Sequence, residues 1–215
     1  MLFRHFRPNR RFVTGDKERR FLYTPAPMET ERTPEAELQS WIAAAQEGDE
    51  SAFEKLYGEF FTQVYRYAAF RLPKELAEDV TADVFVKAWE KLHTYKARSG
   101  VPFAAWLFRI ARHGVIDVYR SQRGVEEVSE TLVDPDVLNR ADTATHRNEV
   151  LKTVRAAVEQ LPKRYQDVLL LSYVGDLPTS EVARVLRMTE GGVRILKMRA
   201  LRKLEGHLPP DAHLT

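Results

Sequence analysis

Residues 179–203 read TSEVARVLRMTEGGVRILKMRALRK, and this stretch decides the architecture. Its apolar residues fall at helical steps in two short runs. Val182, Ala183 and Leu186 share one side of the first; Val193, Leu196, Ala200 and Leu204 share one side of the second. Ala183 is small enough to let the second helix cross close by, and Met188 fills the turn. Thr189 is a natural N-cap, because its hydroxyl oxygen can take up a backbone N–H left open at a helix start. The spacing predicts a helix-turn-helix. Arg194, Lys197, Met198, Arg199 and Arg202 then face outward, and no acid occurs from Arg194 to Lys203. Such a helix fits the major groove, where arginine donates to guanine or phosphate and cations gain affinity by releasing counterions. Gly191-Gly192 at its start permits close backbone approach. The competing interpretation is a solvated basic helix in an ordinary bundle.

Upstream of this motif the same period recurs. Val150, Val154, Ala157, Val158 and Leu161 predict an amphipathic helix; Pro162 and an apolar helix from Tyr165 to Val174 follow. Nearer the N-terminus, Phe53, Leu56, Tyr57, Phe60, Val64, Tyr65 and Ala68 mark a helix with Ser51 as its candidate cap and Leu72-Pro73 as its stop. A second carries Leu76, Val80, Val84, Phe85, Ala88, Trp89 and Leu92 on one side and Glu75, Glu78, Asp79 and Asp83 on the other. A third carries Phe103, Trp106, Leu107, Ile110 and Val118, with Trp89 and Trp106 expected in the core. No segment alternates like a strand. The expected fold is all-α, with two small helical domains at 34–121 and 149–208. Residues 122–148 have three arginines against six acids and include Asp134-Pro135, so they read as a flexible acidic linker. Residues 1–33, rich in arginine and proline, read as a mobile arm, and 209–215 as a tail.

Composition narrows the function. The 215 residues include no cysteine, which excludes disulfides, thiolate metal sites and a cysteine nucleophile. The longest apolar stretch, Val168 to Val174, is far short of the roughly 20 residues that span a bilayer, so no membrane insertion is expected. His5, His93, His113, His146, His207 and His213 have no metal-ligand spacing, and no Gly-rich phosphate loop or nucleophile elbow occurs. A cytoplasmic, non-enzymatic protein without cofactor or metal is expected.

Four blocks in order resemble the bacterial extracytoplasmic-function sigma factors, a two-domain group of RNA polymerase sigma subunits. Phe53-Glu-Lys-Leu-Tyr with Val64-Tyr-Arg-Tyr resembles region 2.1, and Ala77-Glu-Asp-Val-Thr-Ala-Asp-Val-Phe-Val-Lys-Ala-Trp resembles region 2.2. Phe103-Ala-Ala-Trp-Leu-Phe-Arg-Ile-Ala-Arg-His with Asp117 and Arg120 resembles regions 2.3 and 2.4. Leu161-Pro-Lys-Arg, Glu181-Val-Ala and Val193-Arg through Arg199-Ala-Leu resemble region 4. The resemblance runs from about Leu38 to Leu208. It implies partners: core RNA polymerase (the clamp helices of the largest subunit and the flap of the second-largest), promoter DNA and an anti-sigma factor. It implies site residues too. Asp79, Asp83 and Lys87 would meet the polymerase, although an acidic helix face is more often simply solvated. Tyr95, Lys96, Arg98, Arg109, Arg112, His113 and Arg120 would serve the minus-ten element, with Tyr95 and the loop to Gly100 as an aromatic surface for a flipped base. A plain surface loop is the alternative there. Arg194, Ile195, Lys197, Met198, Arg199 and Arg202 would serve the minus-thirty-five element.

The chain departs from the family pattern at Ala82 (usually glutamine), His113 (asparagine), Pro178 (serine at an N-cap), Arg187 (glycine) and Ile195-Leu196 (Ser-Arg). The loop from Tyr95 to Phe103 is about two residues longer than usual. A positive φ at Arg187 would cost on the order of 1 kcal/mol. The remaining alternative is a stand-alone helix-turn-helix regulator that binds its operator without polymerase.

Overall fold

The computed structural model describes residues 33–97, 100–123 and 144–208. Eight α-helices occur among them and no strand: α1 (Glu35–Gln46), α2 (Glu50–Ala69), α3 (Lys74–Lys91), α4 (Phe103–Arg123), α5 (Ala144–Glu159), α6 (Lys163–Leu169), α7 (Thr179–Leu186) and α8 (Glu190–Glu205). The tail, residues 1–32 of the expected arm and 124–143 of the expected linker lie outside the described residues; the linker's expected ends, 122–123 and 144–148, are instead helical, in α4 and α5.

Helix α2 starts two residues earlier than a Ser51 cap would place it. Asp49, not Ser51, is the cap: its Oδ1 accepts from the backbone N–H groups of Ser51 (2.9 Å) and Ala52 (3.2 Å) and from the Ser51 hydroxyl. A carboxylate at a helix start is favoured over a hydroxyl by the positive end of the helix dipole, and these donors hold Asp49 below the usual carboxylate range. Helix α1 adds an element ahead of the expected helices. Its Leu38, Ile42 and Ala45 are buried at the same three- and four-residue steps. Gln46, at its end, donates to the carbonyls of Leu92 (2.9 Å) and Tyr95 (2.7 Å), which fastens the chain leaving α3.

The first half of the core is built from Leu56, Val64 and Tyr67 of α2, Ala77, Val84 and Ala88 of α3, and Leu107, Phe108 and Val115 of α4, all buried. Trp106 is half-buried between Tyr95 and Phe103. Trp89 departs from expectation: it is 37% exposed and rests an edge against Phe53.

In the second half, Val158, Leu161, Val168, Leu171, Val182, Val193 and Ala200 are buried. Helix α6 widens into a π-turn at Leu170–Val174, where the Gly175 N–H reaches back to the Leu170 carbonyl (2.8 Å). The described residues of the two halves share one core cluster within one compact unit. Gly175 makes part of that contact. A Cβ there would stand 2.8 Å from Phe108 Cε1, so only glycine lets the α4 ring close on this backbone.

Candidate nucleic-acid interface

The helix-turn-helix forms as its sequence predicts. Thr189 Oγ1 accepts from the Gly192 N–H (3.1 Å) and starts α8, while Val182, Ala183 and Val193 bury the crossing. Arg187 ends α7 at φ 55, ψ 50, in the left-handed region, and the Met188 N–H after it caps the Ala183 carbonyl (2.9 Å). Pro178 begins α7 with no side-chain cap. On α8, Arg194, Arg199 and Arg202 are exposed, and Ile195 (51%) and Met198 (45%) stand exposed among them. Lys197 is half-buried with its Nζ 5.7 Å from the Tyr173 ring centre. Arg194 reaches Glu190 at 3.5 Å, a solvated pair of small worth. This face thus offers cations for phosphates around two apolar side chains of the kind that contact a thymine methyl.

The acidic face of α3 also stands as expected. Asp79 and Asp83 are exposed one turn apart, and Lys87 is half-buried one turn further on. Asp83 and Lys87 edge a groove of about 290 Å³ floored by Val80 and Val84 of α3 and Ile110 and Val118 of α4.

The face of α4 is different. Of its four nominated residues, His113 and Arg120 are exposed, Arg120 lying 3.8 Å from Asp117. The other two turn towards the second half. Arg112 donates from Nε (3.0 Å) and Nη2 (2.8 Å) to Asp167 Oδ2. Arg71, at the end of α2, donates from Nη2 to Asp167 Oδ1 (2.5 Å), and its guanidinium lies 5.0 Å from the Tyr67 ring centre. Asp167 itself is only 5% exposed. Arg109 donates from Nε (3.1 Å) and Nη2 (2.5 Å) to the Arg184 carbonyl. Burial, and after it the nearby Arg187 and Arg184, hold Arg109 below its ordinary pKa. A cleft of about 270 Å³ separates these arginines, with His113, from Leu186 and Arg187.

Tyr95 corrects the expectation of an open stacking surface. It is 5% exposed, its hydroxyl donates to the Val101 carbonyl (3.1 Å), and its ring meets Phe103 edge-on at 5.4 Å. Its size and apolar neighbours make it a pillar of the loop in this conformation. Lys96 is exposed, and Arg98 lies outside the described residues. Among the described residues no group of His, Asp and Glu is placed to hold a metal ion, and no helix is long and apolar enough to cross a membrane.

Comparison with known families matches sigma-70 region 2 to residues 56–125 and sigma-70, region 4 to residues 151–204. The chain is similar to the ECF RNA polymerase sigma factor BldN of Streptomyces coelicolor, at 32% identity over 184 residues, 82% of this chain and 68% of that protein. Two solved structures share its fold. CnrH in complex with the cytosolic domain of CnrY has a TM-score of 0.61 and 24% identity, covering 79% of this chain and 96% of that one. The sigma factor RpoE bound to the anti-sigma factor NepR from Bartonella quintana has a TM-score of 0.56 and 19% identity, covering 72% and 95%.

Proposed function

Since the chain belongs to the ECF RNA polymerase sigma factors, we propose that it joins core RNA polymerase and directs initiation at promoters read by its two halves. The observation that carries the DNA-reading part is the exposed basic face of α8, acid-free from Arg194 to Lys203 and presented by a capped helix-turn-helix. In this reading α8 enters the major groove of the minus-thirty-five element. Arg194, Lys197, Arg199 and Arg202 take phosphates and base edges there, and Ile195 and Met198 sense methyl groups. The cations of α4 (Arg109, Arg112, His113 and Arg120), with Lys96 and Arg98, follow the strand opened at the minus-ten element. Asp79, Asp83 and Lys87 meet the clamp helices of the largest polymerase subunit, and the second half rests on the flap of the second-largest.

The chain supplies position and charge, with no catalytic step of its own, and works where the polymerase is, in the cytoplasm on the nucleoid. Two weak readers on one chain bind a promoter more tightly than either alone, because the second contact becomes intramolecular. An anti-sigma factor is its proposed restraint, in line with the anti-sigma factor NepR bound to the Bartonella quintana protein of the same fold.

Reconstitution with bacterial core polymerase and run-off transcription from a promoter library tests this. Initiation at a shared two-part motif is the expected result. Binding to a duplex without any association with core would replace it with the stand-alone regulator.

A further inference from the structure

The cleft of about 270 Å³ beside the end of α7 is lined by Arg109, Arg112 and His113 on one wall and by Val185, Leu186 and Arg187 on the other. Three of these are arginines and none is an acid. Arg184, whose carbonyl Arg109 holds, is exposed at the same helix end. Among the described residues no carboxylate pairs with Arg109, Arg184 or Arg187; Arg112 alone is answered, by Asp167. Like charges gathered in this way repel one another. The effect is felt at Arg109, which burial first, and then Arg187 and Arg184, hold below its ordinary pKa.

Arg187 adds a second, independent observation. Its backbone lies at φ 55, ψ 50, the left-handed region where glycine is at ease and a side chain is strained. Of the described residues other than glycine, only Asp176 shares a positive φ. Strain of this kind gathers at ligand clamps and switch points, and here it sets one more cation on the rim of a cleft already rich in them. Donors remain available as well. Arg109 spends Nε and Nη2 on the Arg184 carbonyl, and Arg112 spends the same two atoms on Asp167, so each keeps its Nη1 hydrogens. Arg187 makes no hydrogen bond or ion pair among the described residues.

The geometry points to a binding site for a diphosphate group, held between Arg109 and Arg187 with Arg112 and His113 beside it. The planar fork of arginine matches phosphate oxygens two at a time. A single phosphate brings a charge of about −1.5 to −2 near pH 7, short of the three cations left unanswered at Arg109, Arg184 and Arg187; a second, linked phosphoryl group makes up the difference. The cleft stands at the low end of the roughly 300–1,000 Å³ of small-molecule sites. Its lining includes no Phe, Tyr or Trp on which a nucleobase would stack, so the phosphates are what it reads. The group is either the free inorganic ion or the tail of a nucleoside diphosphate. This goes beyond the promoter reading, which asks nothing of Arg187.

Calorimetric titration of the full chain with inorganic diphosphate tests the site, at about 0.15 M ionic strength to screen loose surface charge. Saturable binding about tenfold or more tighter than that of sulfate is expected. Arg187→Gly carries opposite expectations for two readouts. It relieves the backbone and should raise the thermal midpoint of the free chain by about 2–4 °C. It should also weaken diphosphate binding about ten- to hundredfold, the worth of a hydrogen bond to a charged group. A merely structural role for Arg187 would move the midpoint alone. Should Arg187→Gly not fold by circular dichroism, Arg187→Gln, which keeps a side chain in place and removes the charge, carries the test. Lys91→Gln, at an exposed cation ending α3, is the control and should leave binding unchanged. Titration with ADP separates the two sources: binding as tight as that of inorganic diphosphate, or tighter, supports a nucleoside diphosphate, and weaker binding supports the free ion. The site is overturned if sulfate binds as well as diphosphate, or if Lys91→Gln weakens binding as much as the Arg187 variants. A short oligothymidylate that binds while diphosphate does not would also overturn it, leaving the cleft as part of a strand path.

Discussion

Helices α4 and α8 both present cations at positions nominated for DNA, yet the structure treats them in opposite ways. Arg194, Arg199 and Arg202 of α8 are exposed, and the carboxylate that meets Arg194, Glu190 at 3.5 Å, comes from the same helix and is itself solvated. Arg109 and Arg112 of α4 are engaged by a carbonyl and a carboxylate from the other half. A basic helix face in sequence is therefore a statement about charge and not about availability. Availability is set by acceptors that arrive from far along the chain.

The sharpest way to break this contrast is to remove the packing beneath α4. Phe108 is fully buried and lies against Gly175 across the seam. Phe108→Ala should cost about 3–5 kcal/mol, the usual range for deleting a buried aromatic ring, read from denaturant midpoints. It should expose Arg109 and Arg112 while leaving the α8 face as it is.

A second test uses the phenol under the Arg71–Asp167 pair. Tyr67 stacks below Arg71, is fully buried, and its hydroxyl has no partner among the described residues. Burial, the largest cause, pushes it up to about 12 from 10.0. The unfolded chain releases this proton near pH 10 and the folded chain only near 12. The stability this group supports is whole below pH 10 and is lost as pH rises through 12, about 3 kcal/mol of it. Tyr67→Phe should be neutral or stabilising at pH 7, because it deletes an unpaired buried hydroxyl. It should also remove that share of the alkaline loss, as followed by denaturant titrations at pH 8–12.

The smallest effect belongs to the open face. Arg199→Ala should weaken binding of a minus-thirty-five duplex by about 1–3 kcal/mol if Arg199 reads a base. If it meets phosphate alone, the loss is uniform across sequences and the salt slope falls by about one. Fluorescence anisotropy at several salt concentrations distinguishes these.

Much of the fold was legible because burial follows local periodicity. The steps of Val182, Ala183, Val193 and Ala200 and the Thr189 cap follow from neighbours within a few residues, whereas the positive φ at Arg187 was suggested only by the glycine the family usually has there. What escaped was non-local. Nothing near Tyr95 says that Phe103 and Val101 will enclose it. Nothing near Arg112 says that Asp167 will take it. One signal was present: an acid directly before the apolar run Val168–Leu171 calls for a distant cation, because buried carboxylates are rarely left alone. The choice of Asp49 over Ser51 was local but finely balanced, both being good capping residues two positions apart.

The exchange of helix-end caps, Arg109 on the Arg184 carbonyl and Arg155 on the Ala69 carbonyl, bears on heredity as much as on shape. A half borrowed from a relative would bring its own helix ends but not the arginines that finish those of its new neighbour. An exchange of halves would leave the Arg184 and Ala69 carbonyls without their arginine donors, however modular the two halves look along the sequence.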